Sequence, residues 1–218
     1  MRELVIGDIH GYSRALEGLL DEVKPTQNDR LTFLGDYIDR GPDSRRTLDI
    51  LMQLSRITHP RFLMGNHERY FLASLEDPTV EALWIGYGGD SMLASFNAVS
   101  ASDVPDEYIE FLQSLSLRIE DEKYIFVHAG VNPNVDMDRQ DEETLLWKHS
   151  DQAPWHRSGK IVVSGHSYVS EPELTNLSCR IDTGIARGGW LTCLNLNDYS
   201  FVQVNADGFV RKEKFMHG

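Results

Sequence analysis

A chain of 218 residues with 41% apolar and 25% charged content sits near the upper edge of one domain and excludes a disordered or fibrous protein. Its formal charge of -13 argues against general binding to DNA, RNA or anionic membrane, whose contacts depend on lysine and arginine. No run approaches the ~18 apolar residues of a membrane span, and Met1 leads into LVIGD without a signal-peptide pattern. One cytoplasmic domain over residues 1–218 is therefore expected. Cys179 and Cys193 are too few for a disulfide framework and read as reduced, core-facing thiols.

In chain order, ELVIG (residues 3–7) predicts a short strand ending in Asp8, Ile9 and His10. Continued strand alternation would send Asp8 and His10 to one side and Ile9 into the core. Leu16, Leu19, Leu20 and Val23 then mark a helix face that Pro25 terminates. The stretch LTFLGDYIDRG, Leu31 to Gly41, repeats the strand and breaks at Gly35, after which Asp36, Asp39 and Arg40 arrive together. Carboxylate is a hard oxygen ligand for a divalent cation, and the arginine fork matches phosphate oxygens, so this stretch points to metal-assisted phosphoryl chemistry. A second helix follows Pro42 and Asp43, with Leu48, Leu51 and Met52 on one face. RFLMGNHE, Arg61 to Glu68, is a third strand, glycine and polar unit carrying Asn66 and His67. Strands separated by amphipathic helices imply parallel pairing with the polar groups gathered at the carboxyl ends, an α/β layered fold.

Residues from about 70 to 120 read as a helical cover beside the site, with Trp84, Tyr87 and Phe96 among its aromatics. YIFVHAG delivers His128, and KIVVSGHS delivers His166 after Gly165. Beyond it LSCRIDTG, GWLTCLNL, YSFVQV and GFVRKEKF are β-rich, with turn signals at Asn197-Asp198 and Asp207-Gly208, which predicts a second, largely antiparallel sheet.

Asp8, His10, Asp36, Asn66, His128 and His166 each lie beside a glycine or at the end of an apolar strand. Buried imidazoles and carboxylates are costly without partners, and shared metal coordination satisfies them together. Six ligands with one bridging carboxylate fit a pair of divalent ions ~3.5–4 Å apart, which lowers the pKa of a bound water towards ~7 and so generates hydroxide for in-line attack on phosphorus. Mn²⁺, Fe and Zn²⁺ all accept such mixed ligands, with Mn²⁺ the first expectation.

GDIHG, GDYIDRG, GNHE, FVHAG and SGHS, in that order, resemble the signature blocks of the phosphoprotein phosphatase family of calcineurin-like metallophosphoesterases, and IDTG at Ile181 to Gly184 extends the likeness. The resemblance implies an αββα sandwich of two mixed sheets flanked by helices. It implies Asp8, His10 and Asp36 as ligands of one metal, and Asp36, Asn66, His128 and His166 as ligands of the other. It also implies His67 as the acid that protonates the leaving group, Asp39 as its orienting partner and Arg40 as the phosphate clamp. Two departures stand out. Met64 occupies a place where many members carry arginine, and WKH, with Lys148 and His149, replaces a second family arginine; His149, Lys148 and Arg187 are the candidates to take over phosphate binding.

The implied activity is a phosphomonoesterase acting on phosphoserine, phosphothreonine and phosphotyrosine in proteins, or on small phosphoesters. A symmetrical diadenosine tetraphosphate hydrolase, with Trp84, Tyr87 or Phe96 stacking adenine, is the alternative. A catalytically silent phosphoprotein-binding module is a third reading, opposed by the intact set of ligand positions.

Overall fold

The computed structural model describes residues 1–149 and 152–215. The chain opens with β1 (Glu3–Ile6), α1 (Ser13–Val23), β2 (Arg30–Phe33), α2 (Ser44–Thr58) and β3 (Arg61–Phe62). β1 pairs parallel with β2 and β2 with β3, as the repeated strand and glycine units predict. Local chemistry sets the helix limits: Asp43 caps α2 by accepting the Arg46 N–H at 2.9 Å, and Lys24 and His59 end α1 and α2 in the left-handed conformation. Helices α3 (Asn66–Ser74), α4 (Pro78–Trp84), α5 (Asp90–Phe96) and α6 (Asp106–Gln113) follow, with a π turn at Ile85–Gly89.

The remaining elements are β4 (Arg118–Glu120), β5 (Tyr124–Val127), α7 (Glu142–Trp147), β6 (Ile161–Ser164), β7 (Glu173–Leu174), β8 (Ser178–Arg180), β9 (Trp190–Asn195), β10 (Ser200–Asn205) and β11 (Val210–Lys214). They complete two mixed sheets, ordered β11-β10-β9-β1-β2-β3 and β4-β5-β6-β8-β7. This corrects the expectation of a separate antiparallel sheet at the C-terminus. β9, β10 and β11 do pair antiparallel with one another, but β9 also joins β1, and β8 lies parallel to β6 in the other sheet. Hairpin pairing is local in sequence; the edge a hairpin docks on is decided by which strand still has unpaired N–H and C=O groups.

Alternation divides the strands and their ends among three cores. Val5, Leu34, Phe126, Val163 and Leu194 meet between the sheets. Leu4, Ile6, Leu31 and Phe33 turn the other way, onto Leu16 and Leu19 of α1 and Leu48 and Leu51 of α2. Ile125, Val127 and Val162 face Met137 and Leu145 outside the second sheet. The result is the αββα sandwich that the resemblance implies. Each fully buried Leu, Ile or Phe contributes roughly 1.5–3 kcal/mol, which provides the stability against which a strained rim is held.

Candidate active site

That rim lies just past the carboxyl ends of the strands. Asp8 and His10 follow β1, Asp36, Asp39 and Arg40 follow β2, Asn66 and His67 open α3 after β3, His128 follows β5 and His166 follows β6. Continued strand alternation does not aim them, because β1 already ends at Ile6. Left-handed backbone does: φ is 48° at His10, 52° at Asp36, 70° at Asp39, 67° at Arg40 and 59° at His166. For residues with a Cβ such conformations cost of order 1–3 kcal/mol each, and their clustering marks a site that the surrounding packing over-determines. Two glycines allow the close approach. A Cβ on Gly65 would stand 2.1 Å from Asp36 Oδ1, and one on Gly165 would stand 2.1 Å from Asp8 Oδ1.

A cavity of about 250 Å³ is lined by Asp8, His10, Asp36, Asn66 and His166, with Arg40 and His67 beside them. His10 Nδ1–H donates to the Ile38 carbonyl at 3.1 Å and His128 Nδ1–H to the Leu34 carbonyl at 2.8 Å, so each ring turns the lone pair of Nε2 inward. His128 Nε2 then lies 3.4 Å from Asp36 Oδ1 and 3.0 Å from Asn66 Oδ1, while His10 Nε2 lies 3.5 Å from Asp36 Oδ2. His166 Nδ1 is 3.1 Å from the same Asn66 oxygen, and its Nε2 is buried without a hydrogen-bond partner among the described residues. Lone pairs facing lone pairs repel unless a cation sits among them, so this donor set fits divalent metal. Donor atoms of His10, Asp36 and His67, and of Asp36, His128 and His166, lie within 4.8 Å of one another in two groups that share Asp36.

The electrostatics agree. Burial lowers the pKa of His10 and of His166 to about 3 and also depresses His128, which favours the neutral imidazole that a cation would need. Burial, then Asp182 and Asp36, push the Asp8 carboxyl well above its ordinary range, the signature of carboxylates crowded without a counter-charge. Burial also opposes ionisation of Asp36, but His128, His67 and His10 outweigh it and its pKa is lowered.

His67 behaves differently from the other imidazoles. Its Nδ1 lies 2.7 Å from Asp39 Oδ2, which also accepts the Trp84 indole N–H at 2.9 Å. Burial works against a charged His67, yet Asp36 and Asp39 overcome it and raise its pKa, the opposite direction from His10, His128 and His166. Arg40 Nη1 donates to His10 Nε2 at 3.0 Å. Beneath the loop, the Glu68 carboxylate accepts the N–H groups of Asp36 (2.9 Å), Tyr37 (2.7 Å), Ile38 (3.3 Å) and Gly65 (2.8 Å). Burial and Asp36 push its pKa up to about 8, against those four donors, which favour the ionised form.

A family model for calcineurin-like phosphoesterases matches residues 1–189. The chain belongs to that family. This metallophosphoesterase is 30% identical, over 99% of its length and 98% of the relative's, to a protein of Bacillus anthracis named bis(5'-nucleosyl)-tetraphosphatase PrpE [asymmetrical]. Among solved structures, a putative diadenosine tetraphosphatase superposes with a TM-score of 0.70 at 23% identity, covering 100% of this chain and 95% of that one. A cold-active protein-tyrosine phosphatase of Shewanella superposes with a TM-score of 0.69 at 16% identity, covering 97% and 80%. Calcineurin-like phosphoesterases use a binuclear divalent metal centre, and the two His and Asp groups here suit one.

Several residues of the metallophosphoesterase lie elsewhere than the sequence suggests. Met64 is buried in the helix-side core, well suited to packing and not to phosphate. Lys148 turns away and donates to the Val131 carbonyl at 2.8 Å, whereas His149 lines the cavity with its ring centroid 4.2 Å from that of His166. Arg187 also reaches the cavity wall. Trp84 is fully buried and bonded to Asp39, Phe96 packs on Tyr108 with centroids 4.8 Å apart, and neither lines the cavity. Tyr87 does line the cavity, joined by Tyr70 and Trp147, which sequence reasoning missed. Asp182 was missed too: it lines the cavity, and burial raises its pKa to about 6. Its place in IDTG, directly after β8, was the available signal.

Proposed function

We propose that this metallophosphoesterase hydrolyses dinucleoside tetraphosphates asymmetrically, to a nucleoside triphosphate and a nucleoside monophosphate. The observation that carries the reading is the aromatic wall. Tyr87 stacks on Tyr70 at 5.4 Å between centroids, and Tyr70 meets Trp147 edge-on at 5.9 Å, in the same cavity as the ligand cluster. Every base has a π face that stacks on such a wall, to the extent of ~1–3 kcal/mol. On this reading a nucleoside stacked on Tyr87 offers its own α-phosphate to the cluster in the same cavity, and attack falls beside the nucleoside. The full-length likeness to a protein named as the asymmetrical enzyme supports the same reading.

Asp8, His10, Asp36, Asn66, His128 and His166 would hold two divalent cations, Asp36 between them, with Mn²⁺ expected first and Fe or Zn²⁺ as alternatives. When bound, such a pair lowers the pKa of water and neutralises phosphate oxygens. Arg40, exposed beside the cluster, binds the attacked phosphate and balances charge that builds there. His149 and Arg187 line the path of the neighbouring phosphates. Asp39, itself fixed by Trp84, holds His67 with Nδ1 engaged. The proton of His67 is then available at Nε2 for the bridging oxygen as its bond to phosphorus breaks.

A protein phosphatase is the second reading, because Arg40, His67 and the ligand cluster address a single phosphoryl group whatever carries it. Metal-loaded protein in ¹⁸O-water, given diadenosine tetraphosphate, a phosphopeptide and p-nitrophenyl phosphate in parallel, separates the readings by chromatography and mass spectrometry. ATP and AMP with the label in AMP are expected. Two ADP molecules would replace asymmetric by symmetric cleavage, preferred phosphopeptide turnover would install the second reading, and no turnover at all would leave a binding module. In the same assay His67→Ala should lose about 10²–10⁴-fold in kcat, most with the least acidic leaving group. Unchanged kcat removes His67 as the acid.

A further inference from the structure

A second cavity, of about 480 Å³, adjoins the first and shares His149, His166 and Arg187 with it. Tyr168, which is 47% exposed, lines this second cavity. The ring rests on Gly184, where an added Cβ would stand 2.5 Å from it, and the Arg187 guanidinium lies 5.5 Å from its centroid. The turn from Gly184 to Arg187 therefore clamps this tyrosine while much of it stays open, the condition for a rigid stacking platform. Among the described residues Arg187 has no salt bridge at contact distance, although its charge reaches Asp182. Glu173 in the same groove is already paired with Arg180. In a chain of formal charge -13, a guanidinium that lies over the Tyr168 ring and lines both cavities is suited to phosphate oxygens.

Size adds a second argument. The first cavity, about 250 Å³, falls below the ~300–1,000 Å³ of typical ligand clefts, too small for a molecule with two nucleosides. We infer that the Tyr168 groove holds the far half of a dinucleoside polyphosphate, Arg187 binding the phosphates that lead out of the first cavity and Tyr168 stacking the second base. This assignment rests on the dinucleotide reading, and it makes the enzyme a two-subsite hydrolase with one nucleoside on each side of the ligand cluster.

The test compares KM for diadenosine tetraphosphate with KM for p-nitrophenyl phosphate in the metal-loaded protein and in Tyr168→Ala, Tyr168→Phe and Arg187→Gln. The ratio of the two KM values should rise about tenfold in Tyr168→Ala, as loss of one stacked base implies. Tyr168→Phe, which keeps the ring, should return it to within about twofold. Arg187→Gln should also raise the ratio and, unlike Tyr168→Ala, should do so for adenosine 5'-tetraphosphate, which has phosphates but no second base. An unmoved ratio in both Tyr168→Ala and Arg187→Gln, with the wild type turning over the dinucleotide, removes the groove alone. A wild type that hydrolyses p-nitrophenyl phosphate but not the dinucleotide removes the substrate reading and the groove with it.

Discussion

At the strand ends, five non-glycine residues in left-handed backbone and two glycines pressed against carboxylates hold the His and Asp cluster. In the helical cover, Tyr70 stands half-buried on α3 and Tyr87 stands exposed on the π turn, where the one left-handed residue is Gly88, which has no Cβ to strain. The difference teaches where slack is tolerated. Atoms that share a cation must meet within a few tenths of an ångström, and this cluster is over-determined by backbone strain, by Glu68 beneath the loop and by neighbours that leave no room. A stacking wall works over a range of positions, so the cover supplies it with side chains that can shift. On the proposed reading, one region carries the chemistry and the other selects the substrate.

Asp36→Asn attacks the rigid region at its centre and should have the largest effect. Losing the shared charge should release metal from both groups and lower kcat by roughly 10³-fold, since charge stabilisation by metal amounts to several kcal/mol. Metal content after desalting is the measurement; retention of two metal ions per chain by the variant would refute a shared Asp36. Gly65→Ala tests the lack of slack directly, because the added carbon cannot coexist with Asp36 Oδ1 at 2.1 Å. About a 10²-fold fall in kcat/KM is expected with the fold retained by circular dichroism. An active alanine variant would mean that the loop yields, and the contrast between the regions would collapse.

Tyr87→Ala probes the tolerant region. It should raise KM for diadenosine tetraphosphate about fivefold to tenfold and move kcat by less than about twofold, since stacking is lost in ground and transition states alike. A large fall in kcat instead would place Tyr87 with the rigid group.

The smallest effect expected is on the pH dependence of stability. Burial sets the folded pKa of His10 to about 3, against ~6.5 in the unfolded chain. Between those values the unfolded state binds the extra proton, so the His10 contribution is present above pH ~6.5 and is lost as pH falls towards 3. Glu68 and Asp182, whose carboxyls burial pushes up to about 8 and about 6, run the other way in wild type and variant alike. The readout is therefore the Tm difference between metal-free His10→Gln and wild type. It should shift in favour of the variant by at least ~3 °C between pH 7 and pH 4.5. A constant difference would show that His10 is not held neutral by burial.

Much of this arrangement is legible in the chain because its causes are local. Gly35, Gly65 and Gly165 each follow an apolar run and precede a polar residue, and such a stretch can do little but end a strand in a turn that exposes the polar group. The parallel pairing of β1, β2 and β3 follows from the intervening helices for a related reason, since a crossover must return the chain to the same edge.

By itself, then, the sequence determined the early strand and helix units, the polar residues at their ends and the donor chemistry those residues can offer. Tertiary structure alone decided that β9 docks on β1, that Trp84 braces Asp39 while Tyr70 and Trp147 face the cavity, and that Lys148 turns away while Arg187 lines the cavity. Periodicity and turn chemistry act over a few residues and leave their mark in the order of letters. Edge pairing and shared cavities depend on surface buried across the whole chain, and no short stretch records which distant partner will cover it.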